Sequence, residues 1–306
     1  MSRMKGAAAV HPEESLSSDG QGADERSAAA LSIAEKIRDV STLPYVAIRV
    51  NEIANDPSSG AADLKAVLEA DPAISARVLR TVNSAAYCPR VRITNLLQAI
   101  SYLGFNEIRN LAMTASVRQL FSARGDVGQY TQAGLWNHMV SVGVCARMIA
   151  MRKELPNFED AYLAGLLHDF GIILEDEHLP SQFRRMMDGL DVEKTLAENE
   201  LRFLEFDHPT LGTLVGEQWK FSPCVQAAIG HHHQSRAYQG EDATILHCVE
   251  LANYICSLKH ITSVGVNLVR PAVFAIRALG FGKEDLVVLG QDLDREIRRR
   301  SDLFTL

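Results

Sequence analysis

A chain of 306 residues with 47% hydrophobic and 23% charged side chains can bury a substantial core and has the makeup of an ordinary soluble globular protein. Its formal net charge of −7 argues against broad, sequence-independent nucleic-acid binding, which needs a basic surface. No apolar run approaches the ~20 residues that span a bilayer, and the apolar piece from Gly6 to Val10 is too short for a secretion signal.

Residues 1–26 are rich in Ser, Gly, Ala and acidic side chains and poor in large apolar ones, so they are expected to form a flexible tail. From Ser27 onward the apolar spacing is helical almost everywhere. Asp71-Pro72 reads as an N-cap followed by proline at the first helical position, opening a helix that carries Ile74, Val78, Leu79 and Val82 on one face and breaks near Asn83-Ser84. Thr94 opens a helix through Leu103, Gly104 supplies a left-handed stop, and a further helix runs from about Asn106 to Phe121. Gly125 and Gly128 interrupt the periodicity between Ser122 and Tyr130. Beyond that boundary helices are predicted at 132–152, 158–169, 192–205, 209–219, 222–234, 242–259, 271–279 and 283–300, with Ser222-Pro223 repeating the cap-plus-proline opening. The trio Arg298-Arg299-Arg300 reads as the end of an exposed helix, where positive charge complements the dipole. No stretch alternates long enough to defend as a strand. The predicted fold is all-α, with a domain over 27–306 built from two packed helical parts, 27–122 and 131–306.

The five cysteines, Cys88, Cys145, Cys224, Cys248 and Cys256, form no CxxC pair and read as free thiols. That usage fits a cytoplasmic protein.

The chemistry concentrates in the centre of the chain. The apolar run Ala164-Gly165-Leu166-Leu167 ends in His168-Asp169-Phe170-Gly171, with His138 upstream and His208 and the triplet His231-His232-His233 downstream. Imidazoles and a carboxylate are the ligand set of a borderline transition metal, and a carboxylate can bridge two ions. Adjacent residues diverge by about 100° on a helix, so His168 and Asp169 address one site only at a helix end, for which Phe170-Gly171 offers a break. Each residue also has a plainer reading: His138 as a core histidine on an apolar helix, His208 as part of a helix start capped by Asp207, the triplet as a surface turn. His247 and His260 read as ordinary helix-face or terminal residues. In the helix 242–259, His247, Glu250 and Asn253 form a polar track; solvent exposure accounts for the first two, while Asn253 is flanked like an inward position.

This pattern resembles the HD superfamily of metal-dependent phosphohydrolases and is most similar to its HDOD (HD-related output domain) branch of bacterial signalling proteins. The resemblance runs from about Leu43 to Lys259. It is carried by Leu43-Pro44, Asp71-Pro72, Val82-Asn83-Ser84 and Leu103-Gly104 in the first part, and by Trp136-Asn137-His138, Gly165 to Asp169, His208 with Gly212, Trp219 with Pro223, and His232-His233 in the second. It implies an HD-domain-like multi-helix bundle in which His138, His168 and Asp169 surround one metal. His208, His232 and His233 would serve a second, with Asp169 between the two. Within the triplet, His232-His233 is preferred because Gln234 then falls where relatives carry an acidic residue.

The departures bear on activity. The last HD carboxylate falls on Asn253, whose amide oxygen is a neutral, weaker ligand. Cyclic-di-GMP-cleaving HD-GYP relatives carry a lysine where this chain has Ile172, and an acidic residue with a glycine-tyrosine-proline stretch where it reads Gln234 to Gln239. The expectation is therefore a bacterial signal-transduction output module with a degenerate metal site, holding one or two divalent ions such as Fe or Mn or none. The alternative is a metal-dependent phosphohydrolase acting on a nucleotide or phosphate ester. Expected partners are signalling proteins, with a nucleotide as the candidate small ligand, and neither nucleic acid nor membrane.

Overall fold

A computed structural model of the protein describes residues 28–35, 45–56, 58–121 and 125–304. The expected tail at 1–26, the Leu43-Pro44 pair and positions 122–124 of the expected boundary lie outside the described residues. Within them all regular structure is helical, and one isolated antiparallel bridge, Val127 with Tyr130, is the sole extended pairing.

The first part comprises α1 (28–35), α2 (Tyr45–Asn55), α3 (Ala61–Glu69), α4 (Pro72–Val82), α5 (Leu96–Leu103) and α6 (Phe105–Val117). Asp71 caps α4 by accepting the N–H groups of Ala73 and Ile74 at 2.8 and 3.0 Å, which satisfies two donors that a helix start leaves free. The cap of α5 is Asn95 rather than Thr94: Asn95 Oδ1 accepts the Gln98 N–H at 2.9 Å, and the Thr94 N–H turns to the Gln98 side chain. Gly104 has φ +86°, a conformation open to glycine, and lets α6 start at once. Helix α6 is buried from Glu107 to Val117 and packs on α2, α4 and α5 while its outer side meets the second part through α8.

The second part comprises α7 (Gln132–Arg152), α8 (Phe158–Leu167), α9 (Phe170–His178), α10 (Pro180–Asp188), α11 (Leu196–Leu204), α12 (His208–Gln218), α13 (Pro223–His231), α14 (Ala243–Leu258), α15 (Val273–Ala278) and α16 (Lys283–Arg299). Helices α7 and α8 fold back as a hairpin in which His138 meets His168, Gly143 meets Gly165 and Arg147 meets Glu159. A Cβ on Gly143 would lie 2.9 Å from the Tyr162 carbonyl, and one on Gly165 would lie 2.9 Å from the Val142 carbonyl. These two glycines therefore let the backbones approach closely enough to bring the histidines together. Helix α14 crosses both, α13 covers α8, α12 lies on α9, and α16 returns to α7.

Two sequence-based expectations are corrected here. The helical course breaks at His168-Asp169, so that pair does stand at a helix end, but Phe170-Gly171 is not the break. A new helix, α9, begins at Phe170, and α10 follows with Pro180 at its first turn, so two helices occupy a stretch with no predicted element. The Arg298-Arg299-Arg300 trio is not uniformly exposed. Arg300 is nearly buried and pairs with Glu107 at 3.3 Å and Glu296 at 3.2 Å, because α16 ends over the Glu107 carboxylate that Arg147 also contacts.

Candidate metal centre

His138 projects from the second turn of α7, and His168 and Asp169 form the link between α8 and α9. His208 is the first residue of α12, whose N-cap Asp207 accepts the Thr210 N–H at 3.0 Å. His232 and His233 follow the last residue of α13. All converge on Asp169, and His138, His168, Asp169, His208 and His232 are each at most 2% exposed.

Asp169 divides the imidazoles into two sets. Its Oδ2 lies 3.3 Å from Nε2 of both His138 and His168. Its Oδ1 lies 3.4 Å from His208 Nε2 and 3.2 Å from His232 Nε2. His233 Nε2 completes the second set at 3.1 Å from His208 Nε2. These separations are long for charge-assisted hydrogen bonds, and Asp169 Oδ1 makes none. They match the ~3.0–3.4 Å expected between neighbouring ligands that share an ion at ~2.1 Å.

The outer nitrogens fix the tautomers. His138 Nδ1 donates to the Ile261 carbonyl at 2.8 Å, His168 Nδ1 to the Gly165 carbonyl at 2.7 Å, and His232 Nδ1 to the Ala228 carbonyl at 2.9 Å. A carbonyl can only accept, so the Nδ1 proton stays there and each neutral ring presents its Nε2 lone pair to Asp169. His138 and His168 thus face each other with Nε2 atoms 3.3 Å apart, as do His208 and His232. The opposed lone pairs of His138 and His168 beside a carboxylate suit a cation better than they suit each other. The residues fit a metal, in sets of His138-His168-Asp169 and Asp169-His208-His232-His233.

The titration behaviour agrees. Burial, only partly offset by Asp169, lowers His168 to about 4, and burial with the neighbouring His232 and His208 holds His233 well below its ordinary value. Burial would raise Asp169, but the pull of His168 and polar contacts from His138, His168 and His208 keep it well below the usual carboxylate range. Burial would also lower His208, yet Glu200 and Asp169 raise it well above the histidine range.

Glu200 is not among the candidates drawn from the sequence. It sits on α11, fully buried, and accepts both the His208 backbone N–H at 2.9 Å and His208 Nδ1 at 2.7 Å. This carboxylate orients the ring and raises its basicity, as outer partners of metal-bound histidines do. Behind it, burial and the Glu200 charge push Glu175 well above the ordinary carboxyl value.

The remaining candidates divide cleanly. Asn253 is 2% exposed, lines the same small cavity as Asp169 and His233, and its buried Oδ1 has no hydrogen-bond partner. His231 is exposed and packs on Tyr238, apart from the cluster. His247 and Glu250 are half-buried rather than solvent-facing, because the 235–237 turn covers them: His247 Nδ1 lies 2.9 Å from Ser235 Oγ, and Glu250 accepts the Ser235 N–H at 3.3 Å. His260 is exposed at the end of α14.

The segment 260–272 closes over the cluster. It is tied by Ile261 to His138, by Gly265 (φ +80°), whose Cβ would lie 2.2 Å from the Gln129 carbonyl, and by Arg270 to Glu198 at 2.8 Å. The cavity left beneath it, beside Asp169, His233 and Asn253, measures about 10 Å³. Outside, His233 also borders two larger depressions of about 400 and 210 Å³.

Comparison with known proteins agrees with this architecture. A family model described as the HDOD domain matches residues 40–235. An uncharacterized protein of Treponema pallidum is 23% identical over 227 residues, which cover 73% of this chain; the chain spans only 43% of that relative. An HDOD domain protein of unknown function from Geobacter sulfurreducens has a similar structure, with a TM-score of 0.77 and 23% identity over 93% of this chain and 99% of that one. A candidate signal transduction protein from Marinobacter aquaeolei aligns with a TM-score of 0.73 and 22% identity, covering 94% of this chain and 65% of that one. A candidate phosphohydrolase from Shewanella amazonensis aligns at 0.70 with 21% identity, covering 90% and 97%.

Proposed function

The chain belongs to the HDOD family, and we propose that it is a bacterial, cytoplasmic signal-transduction module whose metal centre stabilises or senses and whose output runs through contacts with signalling proteins. The observation that carries this reading is the narrow cavity of about 10 Å³ over the cluster. Such a space holds a water or an ion, whereas ligand pockets start at ~300 Å³. Asn253 in place of a carboxylate supports the same reading, because it removes one charge from the ligand set.

One or two divalent ions, iron for the imidazoles or manganese with the shared carboxylate, would be held by His138, His168 and Asp169 and by Asp169, His208, His232 and His233. A bound ion would supply a Lewis acid and a water of lowered pKa. The chain's own groups hold the imidazoles in one tautomer, keep the carboxylate ionised and exclude bulk water.

A second reading, hydrolysis of a nucleotide or phosphate ester, is favoured by His233 bordering both the inner cavity and the outer depressions. The two are separated by quantifying metal on protein purified without chelators and assaying phosphatase and phosphodiesterase turnover beside Asp169→Ala. Bound metal with no turnover above that variant supports the signalling module. Metal-dependent turnover that Asp169→Ala abolishes establishes the hydrolase instead.

A further inference from the structure

Apart from the metal centre, the first part of the molecule carries a groove of about 1090 Å³ between α4 and the 83–95 loop. Its floor is apolar, with Ala76, Leu79, Pro89 and Ile93 among the lining residues, and Arg80 and Arg92 stand on its walls. Asp302 is the one acidic residue in the lining.

The charge around the groove is uncompensated. Arg77 and Arg80 lie three residues apart on α4, Arg118 follows α6, and Arg90 and Arg92 stand exposed on the loop. Among the described residues none of these five makes an ion pair, whereas Arg147, Arg152 and Arg300 in the second part are each matched to a carboxylate. Burial and repulsion from Arg77 and Arg80 pull Arg118 below its ordinary value, so these cations crowd one another. A protein of net charge −7 thus concentrates unmatched positive charge at one place. Between Arg90 and Arg92, Val91 is 79% exposed, a large apolar side chain held out to solvent.

The loop is held in shape. Asn83 accepts the Ile93 N–H at 2.8 Å and donates to the Ile93 and Leu79 carbonyls at 2.8 and 2.7 Å, while Tyr102 donates to the Tyr87 carbonyl at 2.8 Å. A preshaped groove loses little entropy on binding.

We propose that this groove is the docking surface for an acidic, partly apolar segment of a partner protein. The proposal rests on the reading that the protein acts through protein contacts, and it names where and with what chemistry. An apolar floor takes side chains, and cationic walls take the flanking Asp or Glu of an extended or helical segment. Nucleic acid is the poorer match, since phosphate backbones need a longer basic track and gain nothing from an apolar floor.

The test uses Cys88, which lines the groove and is exposed while the other four cysteines are buried. Thiol alkylation on the intact protein therefore reports occupancy without mutation. The probes are a short peptide alternating Glu with Leu and Phe, the same peptide with Lys for Glu, an oligothymidylate, and a peptide copying residues 11–26, which contains Glu13, Glu14, Asp19, Asp24 and Glu25. The glutamate peptide should slow Cys88 alkylation, less so as salt rises, and Arg80→Glu/Arg92→Glu should weaken that protection by at least about tenfold. Arg80→Gln/Arg92→Gln should give an intermediate loss, and circular dichroism should show both variants folded. Absence of protection, equal protection of the charge-reversed variant, or equal or better protection by the lysine peptide or the oligothymidylate overturns the proposal. Protection by the 11–26 peptide alone places the occupant within this chain and overturns the assignment to a partner. The metal and turnover assays do not involve these arginines, so a silent groove refutes this surface and leaves the signalling reading to its own test.

Discussion

Glu200 and His208 form a buried carboxylate–imidazole pair in which His208 Nδ1 lies 2.7 Å from Oε2 and neither side chain reaches solvent. The pair joins α11 to α12 and orients the ring that faces Asp169. Glu200→Gln keeps the shape and removes the charge, so metal affinity at the His208-His232-His233 set should fall by about 10–100-fold. Competitive titration against a chelator measures this. Unchanged affinity would show that Glu200 serves packing alone.

Asn253→Asp should act in opposite directions with and without metal. A carboxylate beside Asp169 in this small, buried cavity lowers stability in chelator-treated protein, because burial leaves two like charges close together. With Mn or Fe the same charge becomes a ligand and should retain metal through dialysis that strips the wild type. Metal content and melting temperature, each with and without chelator, check both halves.

Acid should weaken the metal-free protein through His168. Its folded value of about 4 lies below the ordinary 6.5, so between those values the unfolded chain takes up a proton that the native state refuses. Stability present above 6.5 is lost as pH falls toward 4, by about 3 kcal/mol from this group. Denaturation midpoints over that window should slope less steeply in His168→Gln.

Gly171→Ala should destabilise by more than about 2 kcal/mol, since its Cβ would lie 2.1 Å from the His208 carbonyl oxygen and neither α9 nor α12 can withdraw alone. Gly60→Ala, with nothing within 4 Å of the added carbon, is the matched control. Chemical denaturation distinguishes them, and metal content should fall only in Gly171→Ala.

The sequence exposes much of this because the informative residues are local. Asp71-Pro72 and Asp207-His208-Pro209 announce helix starts through side chains that cap their own backbone, and α7 follows its apolar periodicity from Gln132 to Arg152. What escapes depends on distant partners. Helix α9 starts one residue after Asp169 with no capping side chain, so nothing local separates it from α8. Glu200 reads as a surface residue of a charged helix, although it shares a face with the buried Leu196 and Leu204. The triplet is similar: His232 continues the buried face of Val225, Ala228 and Ile229, which sets it apart from His231. The ties made by Ile261 and Arg270 leave no trace in periodicity, because they join loop backbone and exposed charge to residues far away in the chain.

Arg300 lies against Glu107 and Tyr87, which stand 193 and 213 residues earlier in the chain. During synthesis the helix bearing Glu107 leaves the ribosome long before Arg300 exists. Until residue 300 emerges, Glu107 has Arg147 as its partner and lacks the second of its two cations. The seam between the two ends of the chain is therefore closed last, when α16 docks and adds Arg300 to a carboxylate that Arg147 already holds.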